Sequence, residues 1–295
     1  MATQLLQLTQ DNYYTPQADQ DYMSVSQFKG FAGTLYKRGC ESKALARIAG
    51  TYVDEPSTDK LVGSYVDAHF EGALDKFLDD NMDLVCTKTS IKKYEEGKGS
   101  LELLAPFVKA DAIISRLEAD PVFMEYCKGD RQVILTGDIF GVPWKIRMDF
   151  YDLVDGRISD LKIMKDMQPI WSPLASCKVD FIRYWGYDIQ GAIYQEIVRQ
   201  NVGRKLPFYL CVGTKESPAD LSVIEITQDY LDEAMAYVKS RIGRVMSVKT
   251  GTVPAVPCGT CDQCRQAKRL SGPVPIAAII PPGRHAVQWP DGDED

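Results

Sequence analysis

No apolar run in this 295-residue sequence approaches the roughly 20 residues needed to cross a bilayer, so no membrane span is expected. The N-terminus, Met-Ala-Thr-Gln-Leu-Leu-Gln, lacks the basic and apolar regions of a secretory leader, which makes the cytoplasm the expected location. Excess positive charge is missing too: 34 Lys and Arg against 41 Asp and Glu give a net charge of −7. That balance argues against nonspecific attraction to nucleic acid, although a local basic groove can bind it while the outer surface stays acidic. No internal repeat is evident. The stretch from about 271 to the closing Asp291-Gly-Asp-Glu-Asp295 has no regular period and is expected to be a flexible tail.

What is present is the ordinary stock of a globular protein, 45% hydrophobic and 25% charged. The eight cysteines (40, 86, 127, 177, 211, 258, 261 and 264), in a chain expected in the cytoplasm, point to free thiols or a metal site rather than to a disulfide framework. Residues 1–23 read as an extended lead-in. Ser24 or Ser26 can cap a helix carrying Phe28 and Phe31, Gly30–Gly39 reads as a loop, and a helix follows Cys40. From Thr58 to Asp79 the apolar spacing is helical and places His69 on the apolar face, where a histidine is more often a core residue than a ligand. Residues 83–100 read as irregular and 101–128 as helical. Downstream, 132–136, 208–212 and 223–226 read as strands, and 181–200 and 229–245 as helices.

The most informative stretch is 145–163. Ile146, Met148 and Phe150 alternate with polar neighbours, as do Leu161 and Ile163, and Asp155-Gly156 between them is a strong hairpin signal. With that pair as a two-residue loop, Asp149 faces Lys162 and Tyr151 faces Asp160, so Asp149, Asp160 and Lys162 share one face. Carboxylates this close repel unless a cation lies between them, and hard oxygen ligands suit Mg²⁺ or Mn²⁺. Lys162 could orient a water or neutralise charge developing on a phosphate oxygen. On the helix after it, Arg183, Tyr187, Gln190 and Tyr194 form a polar-aromatic seam beside an apolar one of Trp185, Ile189, Ile193 and Ile197.

This order of helices, an acidic meander with Asp160-Leu161-Lys162, a helix and a further strand resembles the PD-(D/E)XK nuclease fold. His69 upstream and Gln190-Gly-Ala-Ile-Tyr194 downstream match the RecB-type branch. Residues Tyr22–Lys29, Cys40-Glu41, Leu61–Gly72 and the hairpin are most similar to the RecE-like exodeoxyribonucleases of phages and prophages of Gram-positive bacteria. The Gly30–Gly39 segment is longer than that pattern leads one to expect.

The resemblance implies an α/β (α+β) restriction-endonuclease-like core, a central mixed sheet flanked by helices, with a C-terminal cysteine cluster. It implies a single nuclease domain over 1–270: a helical part (1–128), a catalytic core (129–250) and the cluster (258–264). His69, Asp149, Asp160 and the Leu161 carbonyl would hold Mg²⁺ or Mn²⁺. Lys162 would position water or stabilise charge, while Gln190 and Tyr194 would hold the DNA backbone or brace Lys162, with Tyr187 in a lesser role. The implied activity is ATP-independent digestion of one strand from duplex DNA ends, 5′ to 3′, by a homo-oligomeric ring that passes its overhang to a RecT-like annealing protein in a bacterial host. Nucleases of CRISPR adaptation share the residue order, and a non-cleaving DNA-binding scaffold is a reading of a different class.

Cys258, Cys261 and Cys264 have tight ligand spacing and need a fourth partner, for which Cys40 is the candidate. RecB-related iron–sulfur nucleases place their cysteines in the same order, which implies a [4Fe–4S] cluster. The narrower last gap leaves Zn²⁺ or free thiols as alternatives.

Overall fold

Side-chain caps punctuate the chain. Thr15, Ser24, Ser57, Thr87, Asp120 and Asp180 each accept a hydrogen bond from the N–H three residues on, satisfying a donor that a helix start leaves free. In this computed structural model, which describes residues 5–276, the helices are α1 (Pro16–Asp21), α2 (Val25–Ala32), α3 (Glu41–Ile48), α4 (Thr58–Glu71), α5 (Leu74–Val85), α6 (Lys88–Glu95), α7 (Ala105–Glu118) and α8 (Pro121–Tyr126). Strands β1 (Asp130–Ile139), β2 (Val142–Asp152) and β3 (Arg157–Met164) follow, then a small hairpin of β4 (Ile170–Ser172) and β5 (Cys177–Val179). The chain continues through α9 (Phe181–Trp185), α10 (Tyr187–Val202), β6 (Phe208–Thr214), β7 (Leu221–Ile226), α11 (Gln228–Lys249) and α12 (Asp262–Ala267). The flexible-tail expectation falls largely on residues 277–295, outside the described residues. Among the described residues no helix is long and apolar enough to cross a membrane.

Several boundaries differ from those expected. The lead-in contains α1, and 83–100 contains the whole of α6. The helix expected over Thr58–Asp79 ends at Gly72, whose φ of +76° is left-handed. Gly186, at φ +67°, likewise divides the helix expected over 181–200, so Trp185 leaves the apolar seam and stands 38% exposed while Ile189, Ile193 and Ile197 are buried.

The main sheet has the order β1-β2-β3-β6-β7, antiparallel except for the parallel pair β3–β6. A parallel neighbour needs a crossover, and the segment carrying α9 and α10 supplies it. One face buries Phe28, Trp144, Ile193, Phe208 and Val238 under α2, α10 and α11; the other buries Tyr65, Phe107, Leu117 and Phe123 under α4, α7 and α8. Truncating a buried aromatic such as Phe28 or Trp144 to Ala should cost about 3–5 kcal/mol. Gly191 sets how closely α10 sits: a Cβ there would lie 2.5 Å from Phe208 Cδ1 and 2.8 Å from Leu231 Cδ2.

The β2–β3 register corrects the expected one. Asp152 pairs with Arg157, Tyr151 with Ile158 and Phe150 with Ser159, so the loop is the four residues 153–156, not two. Asp152 makes the turn early: its Oδ1 accepts the N–H groups of Val154 and Asp155, both at 3.0 Å, and its Oδ2 accepts from Arg157 at 2.9 Å. A two-residue shift keeps every side chain on its face, so the shared face survives the error. The alternation of β2 does not. Ile146 and Met148 join the cluster under α10, whereas Phe150 joins the one under α4. The change of side falls at Asp149, across from Gln132, which has φ +55°.

Candidate active site

Asp149 stands where three strands part. The β2–β3 ladder stops at Phe150–Ser159, and the β1–β2 ladder skips the Gln132–Asp149 pair. The gap leaves a strand N–H free for the carboxylate: Oδ2 accepts from Leu161 N at 2.9 Å, and Oδ1 accepts from Gln132 Nε2 at 3.3 Å. Asp160 is 2% exposed. Its Oδ1 accepts from Gln190 Nε2 at 2.6 Å, and its Oδ2 faces the Lys162 ammonium, which also donates to the Leu161 carbonyl at 3.2 Å. Loss of water and the charge of Asp160 push the Asp149 carboxyl well above the usual range. Burial works against the charge on Lys162, but Asp160 and Asp149 outweigh it and hold the ammonium above its ordinary value.

The helix α4 supplies two carboxylates that sequence reasoning missed. Asp67 and Glu71 line a small recess with Gln132, Asp149 and Leu161. Burial, then the charges of Asp160 and Glu71, raise the Asp67 carboxyl to about 7 against the pull of Lys162 and Arg147. His69 is not brought there. A residue midway between two positions four apart points about 200° away from them, and His69 Nε2 instead meets Glu118 Oε1 at 2.8 Å. The i, i+4 spacing of Asp67 and Glu71 marks a polar stripe in the sequence, on the side of the helix away from the histidine.

The α10 seam is also reassigned. Gln190 braces Asp160 rather than Lys162, and the buried Tyr194 donates its hydroxyl to the Arg147 carbonyl at 2.8 Å, tying β2 to α10. Only Tyr187 flanks Lys162, with its ring centroid 5.6 Å from Nζ. Gln132 and Arg147 join the site without having been expected.

These residues fit a divalent cation. Asp149, Asp160 and the Leu161 carbonyl are hard oxygen donors, and the Lys162 ammonium already lies against the last two. Gln132 Oε1 is a further buried oxygen without a hydrogen-bond partner beside Asp149. Asp149, Asp160 and Lys162 open into a cavity of about 300 Å³ that also presents Lys29, Arg147 and Ser26.

A family model described as a PDDEXK-like domain of unknown function (DUF3799) matches residues 24–267. The chain belongs to this PDDEXK-like family. A crystal structure from Eubacterium rectale, named "putative exonuclease", is 44% identical, with a TM-score of 0.85 over 94% of this chain and 99% of that one. No match was found among the curated proteins.

This PDDEXK-like chain also gathers the four cysteines named from its sequence. The sulfurs of Cys40, Cys258, Cys261 and Cys264 all lie within 4.8 Å of one another. Among the described residues this is the one set of three or more such ligands so close, so His69, Asp149 and Asp160 do not form another. Cys40 caps α3, and Glu41 beside it grips the returning chain: Arg244 donates to both carboxylate oxygens at 2.9 and 2.8 Å, and Val256 N donates to Oε2 at 2.7 Å. Burial opposes a thiolate at Cys258, but the Thr260 and Cys261 amides, with help from their side chains, lower it to about 6. A set of four sulfurs with one favoured as thiolate fits a thiophilic metal.

Proposed function

We propose that this chain is a divalent-metal-dependent, ATP-independent exodeoxyribonuclease. It hydrolyses phosphodiester bonds from duplex DNA ends, 5′ to 3′, and leaves single-stranded overhangs for phage-type recombination. The observation that carries the chemistry is the locked set Asp149, Asp160 and Lys162, each oriented by a neighbour before any substrate arrives. Dependence on ends is supported by the name of the Eubacterium rectale relative. A homo-oligomeric ring and a RecT-like annealing partner complete the reading.

The metal would be Mg²⁺ or Mn²⁺ on Asp149, Asp160 and the Leu161 carbonyl, polarising the scissile phosphate and lowering the pKa of a bound water. Gln190 fixes Asp160 by one oxygen and leaves the other directed at Lys162. Leu161 N–H and the Gln132 amide fix Asp149 through one oxygen each. Lys162 supplies positive charge to a phosphate oxygen, and Arg147 and Lys29 line the approach of a polyanion.

For the cysteine site the reading is one tetrahedral Zn²⁺ ahead of a [4Fe–4S] cluster. Sulfur separations of 3.5, 3.7 and 3.9 Å sit near the edge of about 3.8 Å expected for a tetrahedron with metal–sulfur bonds of about 2.3 Å. A cubane puts each thiolate on a separate iron and needs a wider opening.

Incubation with linear and covalently closed circular duplex, in Mg²⁺ or EDTA, tests the activity. Selective loss of the linear form in Mg²⁺ is expected. Equal loss of the circle overturns end dependence, and retardation without degradation overturns the enzyme.

A further inference from the structure

Beside the catalytic cavity lies a second one of about 460 Å³, and the two share Ser26 and Lys29. Its walls carry Lys37 and Arg38 from the loop after α2, Lys43 and Arg47 from α3, and Trp185 from the end of α9; among the described residues no carboxylate lines it. Five cations with Lys29 in one groove are unexpected on a chain of net charge −7. Asp54 pairs with Lys43 and Arg47 from the side, whereas neither Lys37 nor Arg38 has a carboxylate partner among the described residues.

The groove is built rather than fringed by loose lysines. A Cβ on Gly33 would lie 2.1 Å from the Lys37 carbonyl and one on Gly39 2.4 Å from the Phe31 carbonyl, so both glycines are required for the turn to close this tightly. Thr34 Oγ1 accepts the N–H groups of Tyr36 and Lys37, both at 3.1 Å, and Cys40 N donates to Gly30 O at 2.8 Å. Lys43 and Arg47 stand one turn apart on α3. The Lys37 ammonium lies 3.9 Å from the Trp185 ring centroid. Burial and the charge of Lys43 weaken the hold of Lys37 on its proton, a crowding that an anion relieves. Trp185 also borders a third cavity, of about 960 Å³, that reaches Lys162 and Tyr187, so its ring stands between two channels.

We infer that this groove is the track for a single DNA strand running to or from the metal site, with its phosphates on Lys37, Arg38 and the α3 cations and a base stacked on Trp185. A positive groove with an exposed aromatic face suits a single strand, because a paired strand offers no free base to stack. The cysteine site forms part of the same wall through Cys40, Cys258 and Cys261, which explains why a distant metal-type site is kept against α3. This track rests on the nuclease reading for its substrate.

The test compares wild type with Lys37→Gln/Arg38→Gln and with Trp185→Ala, none of which touches Asp149, Asp160 or Lys162. Fluorescence anisotropy of a short oligothymidylate is read over a salt series in EDTA, and hydrolysis of a small phosphodiester, a nitrophenyl ester of thymidine phosphate, is read in Mg²⁺. The double variant should bind about tenfold more weakly and flatten the log–log salt slope by about 1.4, the value for two lost contacts on a single strand. Trp185→Ala should weaken binding about tenfold and lose that effect on an abasic strand. Small-diester hydrolysis should stay at the wild-type rate, which also reports an intact fold. Unchanged affinity and slope in the double variant, beside a wild type that degrades DNA, overturn the track alone. A wild type that binds the strand yet hydrolyses neither DNA nor the diester overturns the nuclease reading and leaves the track standing. An equal Trp185→Ala loss on the abasic strand overturns the stacking.

Discussion

The acidic site and the cysteine site are assembled by opposite means. Asp149, Asp160 and Lys162 are close neighbours on paired strands, and each is tied to a main-chain or side-chain partner that needs no ion. Cys40 and Cys264, by contrast, lie 224 positions apart, and their sulfurs meet at 3.5 Å with little between them but one another. The Glu41–Arg244 clasp, lying near the surface, is a modest anchor. The first site should therefore survive as a shape without its metal, whereas the second should owe its shape to one.

The comparison is broken hardest by Asp160→Ala. Losing a carboxylate proposed to hold the metal should lower linear-duplex degradation about a thousandfold or more. The melting temperature should stay close to wild type, since relief of the crowding at Asp149 is set against loss of a partner for the buried Lys162 ammonium. A residual rate near wild type would remove the acidic pair from the chemistry. Cys258→Ser/Cys261→Ser should do the reverse: the melting temperature falls by about 5 °C or more, while small-diester hydrolysis at low temperature stays within about threefold of wild type. Elemental analysis should find about one zinc per wild-type chain and none in the variant. A brown protein with about four irons would replace zinc by the cluster.

Gln190→Ala sharpens the comparison more gently. The amide donates to Asp160 and acts through that carboxylate, so Gln190 is a positioning residue. Its loss should lower affinity for Mg²⁺ about 10- to 100-fold, the usual cost of removing a ligand's own support. Titrating activity against Mg²⁺ separates this from a general loss: rescue at high metal is expected, and an unrescued rate would give Gln190 a direct role in catalysis.

Much of this was readable in the residues because it is local. Asp155-Gly156 announced a turn, and strand parity placed Asp149, Asp160 and Lys162 together even though Asp152 moved the register by two. The sulfur site was legible because thiols at such spacing have few other uses. What stayed hidden depends on backbone conformation or on how a helix is rotated. Nothing in the sequence marks Gln132 as a residue with φ +55° that turns β2 over at Asp149. Nor does it show that Gly186 frees Trp185 from the α10 seam, since a helical period runs through a glycine as easily as past it.

The rotation of α4 gives the smallest and most discriminating prediction. His69 lies on the arc that apolar Val62, Tyr65 and Val66 suggest, yet its ring is 31% exposed and paired with Glu118, while Asp67 and Glu71 line the recess beside Asp149. An exposed pair of this kind is worth about 0–1 kcal/mol. His69→Ala should therefore leave the rate within about twofold and barely move the melting temperature. Asp67→Asn keeps the side chain's size and removes a charge that couples to both Asp160 and Lys162, so it should lower the rate about tenfold. Measured side by side with Mg²⁺ held constant, the ratio of the two rates reads the helix face directly. A His69 variant that is the slower of the pair would mean α4 turns its other side to the metal.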